Sequence, residues 1–125
     1  MDASIMIPEL HKVKQYERED DFIAKIHEVM KAHLSDEAFG VDDLCSILAM
    51  SRSQLYRKFR ALSHVGIREY LISFRLHYAK QLLKQSDLSV TQIAYEVGFK
   101  NLSHFIQRFH TENGVSPGYF RNHPA

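Results

Sequence analysis

The chain repeats itself. The segment VDDLCSILAMSRSQLYRKF, which begins at Val41, returns as VTQIAYEVGFKNLSHFIQRF, which begins at Val90. At an offset of 49, Val41 matches Val90, Leu44 matches Ile93, Cys45 matches Ala94, Leu48 matches Val97 and Ala49 matches Gly98. Beyond that point the offset is 50 and pairs Leu55 with Phe105 and Phe59 with Phe109, so the second turn carries one residue more. Within each copy the apolar residues recur three and four apart, the spacing of a helix that buries one face. A small residue stands where the two helices cross. Each copy is therefore a helix-turn-helix candidate, and the duplication restricts the chain to two like subdomains.

The remaining segments supply what surrounds and joins the copies. From Asp20 to Leu34, Phe22, Ile26, Val29 and Met30 fall at helical spacing, with acids in the first turn and His33 near the end. SDEAFG then breaks the pattern at Gly40. In the first copy Val41, Leu44, Ile47 and Leu48 form one stripe, Ser51 stands as an N-cap, and Leu55, Phe59 and Leu62 form the next apolar side. GIREYLISFRLHYAKQLLKQSD is the longest unbroken pattern, with Ile67, Leu71, Phe74, Tyr78 and Leu82 in line and Tyr70, Ala79 and Leu83 beside them. Twenty helical residues span roughly 30 Å, enough to connect two units.

Ser89 caps the helix that opens the second copy, and Asn101 caps its successor, whose apolar side is Leu102, Phe105, Ile106 and Phe109. Gly114 takes the C-cap role, and Pro117 opens a last short helix packed by Tyr119 and Phe120. No strand is needed. The expected fold is all-α, with about seven helices in two helix-turn-helix subdomains joined by a long central helix. Its parts are a tail or linker remnant at 1–19, a first subdomain at 20–65, a connecting helix at 66–86, a second subdomain at 87–122 and a tail at 123–125.

Composition bears on where such a chain works. With 45% hydrophobic and 25% charged residues, 125 residues make an ordinary globular core. No apolar run approaches the roughly eighteen residues of a membrane span, and MDASIMIPEL lacks the basic start and apolar stretch of a secretory signal. The single cysteine, Cys45, lies on an apolar helical pattern, so it reads as a small buried side chain in a reducing compartment. The expected location is the cytoplasm. Net charge is only +1, yet residues 52–125 hold eleven Lys/Arg against four Asp/Glu. A basic body behind an acidic front favours a polyanion partner on one face.

In a helix-turn-helix unit the second helix lies in the major groove and offers side chains to base edges. With Leu55 and Phe59 inward, Ser53, Arg57 and Arg60 point most directly away, with Tyr56 on the flank. The guanidinium fork of Arg57 suits guanine O6 and N7, while Arg52, Lys58 and Arg60 suit phosphates. The same rotation of the second copy sends Lys100, Ser103, His104 and Gln107 outward. Gln107 has the donor and acceptor that pair with adenine, Ser103 can bond a base or a phosphate, and Lys100 and Arg108 suit phosphates.

Catalysis finds no support in the motifs. Of eight histidines, His27 and His33 stand six apart, as do His104 and His110, which is not the four-residue spacing that places two imidazoles on one helix face. No HExxH or glycine-rich phosphate loop occurs. Neither metal nor cofactor is expected. The rival reading is a helical protein-interaction module, which salt separates from a DNA binder: log K for DNA falls steeply and linearly with log salt.

SRSQLYRKF, REYLISFRLHYAKQLL, VTQIAYEVGFKNLSHFIQRF and GVSPGYFR together resemble the DNA-binding domain of AraC/XylS-type bacterial transcription regulators, over about residues 20–122. The resemblance implies a seven-helix fold that binds double-stranded DNA and usually activates transcription through contact with RNA polymerase. Carried over by position, its base-facing sites fall on Ser53, Tyr56 and Arg57 and on Ser103, His104 and Gln107. The closest flavour is that of output domains in hybrid two-component sensors. The chain then reads either as a small regulator controlled by its own abundance or as the output end of a longer signalling protein. No small-molecule site is expected within it.

Overall fold

Polar caps and left-handed turns cut the chain into helices. Within residues 17–123, which the computed structural model describes, these are α1 (Glu17–Ala32), α2 (Val41–Leu48), α3 (Arg52–Ser63), α4 (Ile67–Gln85), α5 (Val90–Glu96), α6 (Leu102–Asn113) and α7 (Pro117–Asn122). Seven helices and no strand occur among the described residues, which matches the all-α expectation. Because α1 starts at Glu17, positions 17–19 are helical; the rest of the expected N-terminal tail and residues 124–125 lie outside the described residues.

Each helix of the duplication is capped, with different residues at corresponding positions. Ser51 Oγ accepts the Gln54 N–H at 3.1 Å while Gln54 Oε1 accepts the Ser51 N–H at 2.9 Å. Ser89 and Gln92 repeat this reciprocal box at 3.0 and 2.8 Å. Asn101 Oδ1 accepts the His104 N–H at 2.7 Å, and Ser116 caps α7 with Pro117 at its first position. At α2 the cap residue is Gly40, whose N–H donates to the Asp43 carboxylate at 2.9 Å.

The duplication extends into the backbone and beyond the residues matched by sequence. Ala49 closes α2 at φ 56° and Gly98 follows α5 at φ 88°; in each turn the next N–H, of Met50 or of Phe99, donates to the carbonyl five residues back at 2.9 Å. His64 closes α3 at φ 65° and Gly114 closes α6 at φ 77°, both donating to the carbonyl four residues earlier. Tyr70 N–H to Gly66 O and Phe120 N–H to Ser116 O continue the offset of 50. The first copy holds L-residues at both left-handed positions, where each costs about 1–2 kcal/mol. The second uses glycine at both.

The described chain divides into two compact units: residues 17–33 with 39–74, and residues 34–38 with 75–123. In the first, Ile23, Ile26, Met30, Leu44, Leu55, Phe59, Ile67, Tyr70 and Phe74 are buried. Phe59 meets Tyr70 edge-on at 4.8 Å, and the buried His27 shares a hydrogen bond with the Tyr70 hydroxyl beneath Phe74. Cys45 is buried as expected, whereas Ile47, assigned to the same stripe, is 46% exposed. Leu44 and Cys45 complete the inner face of α2, and Ile47 falls just outside its arc.

In the second unit Leu76, Ala79, Leu83, Ile93, Ala94, Val97, Phe99, Phe105, Phe109 and Phe120 are buried. Centroid distances of 5.2, 5.9 and 5.7 Å link Phe99, Phe105, Phe109 and Phe120 in series. Tyr119, expected to pack α7, is instead 52% exposed, with its ring stacked on His123 at 4.1 Å. Arg121 bonds the Leu83 and Ser86 carbonyls at 3.1 and 3.2 Å, which satisfies acceptors at the end of α4.

Arg75 is the charged residue that the apolar pattern of α4 does not announce. It is 6% exposed, and its guanidinium donates to the carbonyls of Leu34, Val97 at 2.8 Å and Asp36 at 3.3 Å. Burial lowers its pKa and Asp36 partly restores it. The cation thereby fastens residues 34–36 to the turn that follows α5. Gly98 makes this possible, because a Cβ there would overlap the guanidinium and the Leu34 carbonyl oxygen.

His77, half-buried in α4, sets a pH dependence. Burial first, then the charges of Lys80 and Lys84, lower its pKa from 6.5 to about 4. The folded imidazole therefore stays neutral while the unfolded one takes a proton as pH drops below 6.5. Its contribution to stability is complete above that value and shrinks until about pH 4. Lowering the pH from 7 to 5 should therefore lower the melting temperature of wild type more than that of His77→Gln, and an equal fall in both would contradict this.

Candidate nucleic-acid interface

Two buried rings orient each second helix of the repeat. With Leu55 and Phe59 at zero exposure, α3 turns Arg52, Ser53, Tyr56, Arg57, Lys58 and Arg60 to solvent. Ser53, Tyr56, Arg57 and Arg60 line an open groove of about 470 Å³, closed on its far side by Gly66 and Arg68 at the start of α4. Four of the sequence-predicted residues of the first copy therefore share one concave surface. Arg57 and Arg60 make no hydrogen bond or ion pair among the described residues, so their guanidiniums are available to a ligand.

Arg52 and Lys58 are differently committed. Arg52 donates through Nη1 to Asp42 at 2.9 Å and through Nη2 to the Tyr56 hydroxyl at 3.0 Å, and both contacts raise its pKa. The Lys58 ammonium sits 4.4 Å from the centre of the Phe22 ring on α1, which draws it off the groove. The guanidiniums of Arg52 first and then Arg68 lower the Tyr56 phenol pKa. Arg68 was missed by the sequence reading because it lies in the opening turn of the connecting helix, where any polar residue reads as surface. A groove wall shared between α3 and α4 is not visible in the period of either.

In the second unit Phe105 and Phe109 at zero exposure hold α6 with Lys100, Ser103, His104 and Gln107 outward. His104 rests edge-on against Phe99 at 5.5 Å, which limits its swing. Arg108 is half-buried and stands at the border of the face. Ile106, placed by the sequence on the apolar side, is 37% exposed and shares the outer face with Gln107. At the offset of 50, Ser53 corresponds to Ser103 and Arg57 to Gln107, so both copies expose a serine and, four residues on, a fork-shaped polar side chain.

This arrangement suits a polyanion with readable edges: planar donors for bases flanked by cations for phosphates. Among the described residues no His, Cys, Asp and Glu cluster could hold a metal ion, and no helix is long and apolar enough to cross a membrane.

Residues 44–123 match a family of helix-turn-helix domains. Over 104 residues, 83% of the chain, it is 27% identical to histidine kinase P4 of Formosa agariphila, of which it covers 8%. The chain likewise spans less than a third of the operon regulatory proteins it matches at 36–40% identity. Among solved structures, the C-terminal domain of the two-component response regulator yesN from Fusobacterium nucleatum superposes with a TM-score of 0.75 at 26% identity, covering 81% of this chain and 98% of that one. The DNA-binding domain of AdpA, a global transcriptional factor solved with a target DNA, superposes at 0.72 with 31% identity, covering 82% and 88%.

Proposed function

Because the chain belongs to the AraC-type helix-turn-helix family of transcription regulators, we propose that it binds one DNA duplex through α3 and α6 in successive major grooves and activates transcription there. The observation that carries this reading is the matched outer faces of the two helices, with Ser53 and Arg57 on one and Ser103 and Gln107 on the other. The unbroken α4 adds support. Its 19 residues extend about 28 Å, close to the ~34 Å of one duplex turn.

In this reading Arg57 and Gln107 read bases, with Ser53, Ser103 and His104 beside them. Arg60 and Lys100 meet phosphates, as do Arg52, Lys58 and Arg108 where their other contacts permit. The site of action is the cytoplasm, and RNA polymerase is the protein partner. Similarity to a histidine kinase and to a response-regulator domain supports a role as the output domain of a larger signalling protein.

Selection of binding sites from random duplexes, followed by footprinting, tests the proposal. Two protected half-sites about one turn apart are expected, and binding should weaken steeply with salt. Arg57→Ala should relax base preference in one half-site, and Gln107→Ala in the other, each by about 1–3 kcal/mol of discrimination. Unchanged preference in either variant removes that residue from the readers. Binding without sequence choice or salt dependence would favour a protein-interaction module instead.

A further inference from the structure

One hydrogen-bonded chain on the first unit has no counterpart in the second. Asp42 holds Arg52 at 2.9 Å, Arg52 holds the Tyr56 hydroxyl at 3.0 Å, and Arg68 lines the same groove as that hydroxyl. With its oxygen accepting from Arg52, the phenol keeps its O–H as a donor. Tyr56 and Arg68 both line the open groove beside Ser53 and Arg57. A donor hydroxyl next to a guanidinium matches a tetrahedral oxyanion better than the flat edge of a base.

The repeat supplies an internal comparison. Asp42, Arg52, Tyr56 and Arg68 correspond to Thr91, Leu102, Ile106 and Gly118, none of which can build such a chain. By contrast, Ser53 remains serine as Ser103, and Arg57 remains polar as Gln107. The four residues are thus present together in one copy and absent together in the other. They behave as a unit separate from the base-facing pair.

We propose that Arg68 and the Tyr56 hydroxyl grip one backbone phosphate beside the first half-site, with Asp42 and Arg52 bracing them. Tyr56 then serves the sugar-phosphate chain rather than a base, and Arg68 joins the binding residues. The second unit holds its half-site without this grip. The inference rests on the DNA-binding reading above and assigns a contact within it.

The test uses the selected duplex and variants on the exposed face, where folding is checked by a melt matching wild type. Arg68→Ala should lower affinity roughly three- to tenfold and make the slope of log K against log salt shallower by about one, with base preference unchanged. Tyr56→Phe should weaken binding to all sequences equally. Without DNA, the Tyr56 phenol should titrate at higher pH in Arg68→Ala than in wild type. An unaltered salt slope in Arg68→Ala, or altered base preference in Tyr56→Phe, would overturn the grip while leaving the DNA-binding reading intact. If the wild-type chain binds no duplex at all, it is that underlying reading that fails.

Discussion

Phe105→Ala should cost the second unit about 3–5 kcal/mol and lower its melting temperature by more than about 10 °C. The ring has zero exposure and stands between Phe99 at 5.2 Å and Phe109 at 5.9 Å, so truncation opens a cavity in the middle of an aromatic series. Neither neighbour is free to fill it: Phe109 also packs on Phe120, and Phe99 follows the left-handed turn at Gly98. Ile106→Ala, one residue away, should change stability by less than about 1 kcal/mol, because that side chain is 37% exposed. The pair of melts checks the face assignment of α6. A near-neutral Phe105 variant would mean that the reading face had been taken for the packing face.

Gly98→Ala should be at least as severe. At φ 88° any L-residue bears strain of about 1–2 kcal/mol, and the new methyl would displace the Arg75 guanidinium from the carbonyls of Val97 and Leu34. Breaking the hydrogen bonds that pair a buried charge costs up to roughly 3–5 kcal/mol. Ala49→Gly, at the matching position of the first copy, should have the opposite sign. It relieves the strain at φ 56°, while the greater freedom of unfolded glycine returns about 0.4–1 kcal/mol, leaving a net gain between zero and about 1.6 kcal/mol. Denaturant midpoints of the two variants decide the point. A mild Gly98→Ala would show that Arg75 does not hold that turn.

The contrast between these positions explains what the sequence discloses. Caps at Ser51, Ser89 and Asn101 and the stop at Gly114 depend on atoms within three or four residues, so local patterns reveal them. The inner faces of α3 and α6 are equally legible, since Leu55, Phe59, Phe105 and Phe109 are large apolar residues at helical spacing. Ile47, Ile106 and Tyr119 mislead because they stand at the border of an apolar arc, where neighbours from other helices decide which side is covered. Their type carries no information on that.

Arg75 and Arg68 are hidden for another reason. The carbonyl partners of Arg75 lie 22 to 41 positions away, so ISFRLHYA shows only an interruption in an apolar stripe. Arg68 meets Tyr56 twelve positions back, across the turn at His64. Rotation about α3 alone finds the side chains that leave the core, but not the one that closes the groove from α4. Candidate sites built on single helices are therefore complete only along the helix and open at its edges.

Spacing on the DNA is the direct test of a duplex read twice by one chain. Once the preferred duplex is known, about five or about ten base pairs can be inserted between its half-sites, and the affinity of each product measured. A reader with two recognition helices joined through one continuous α4 should lose the second contact in both cases, so that affinity falls to that of an isolated half-site and the second footprint disappears. Equal affinity for the native and lengthened duplexes would contradict the account.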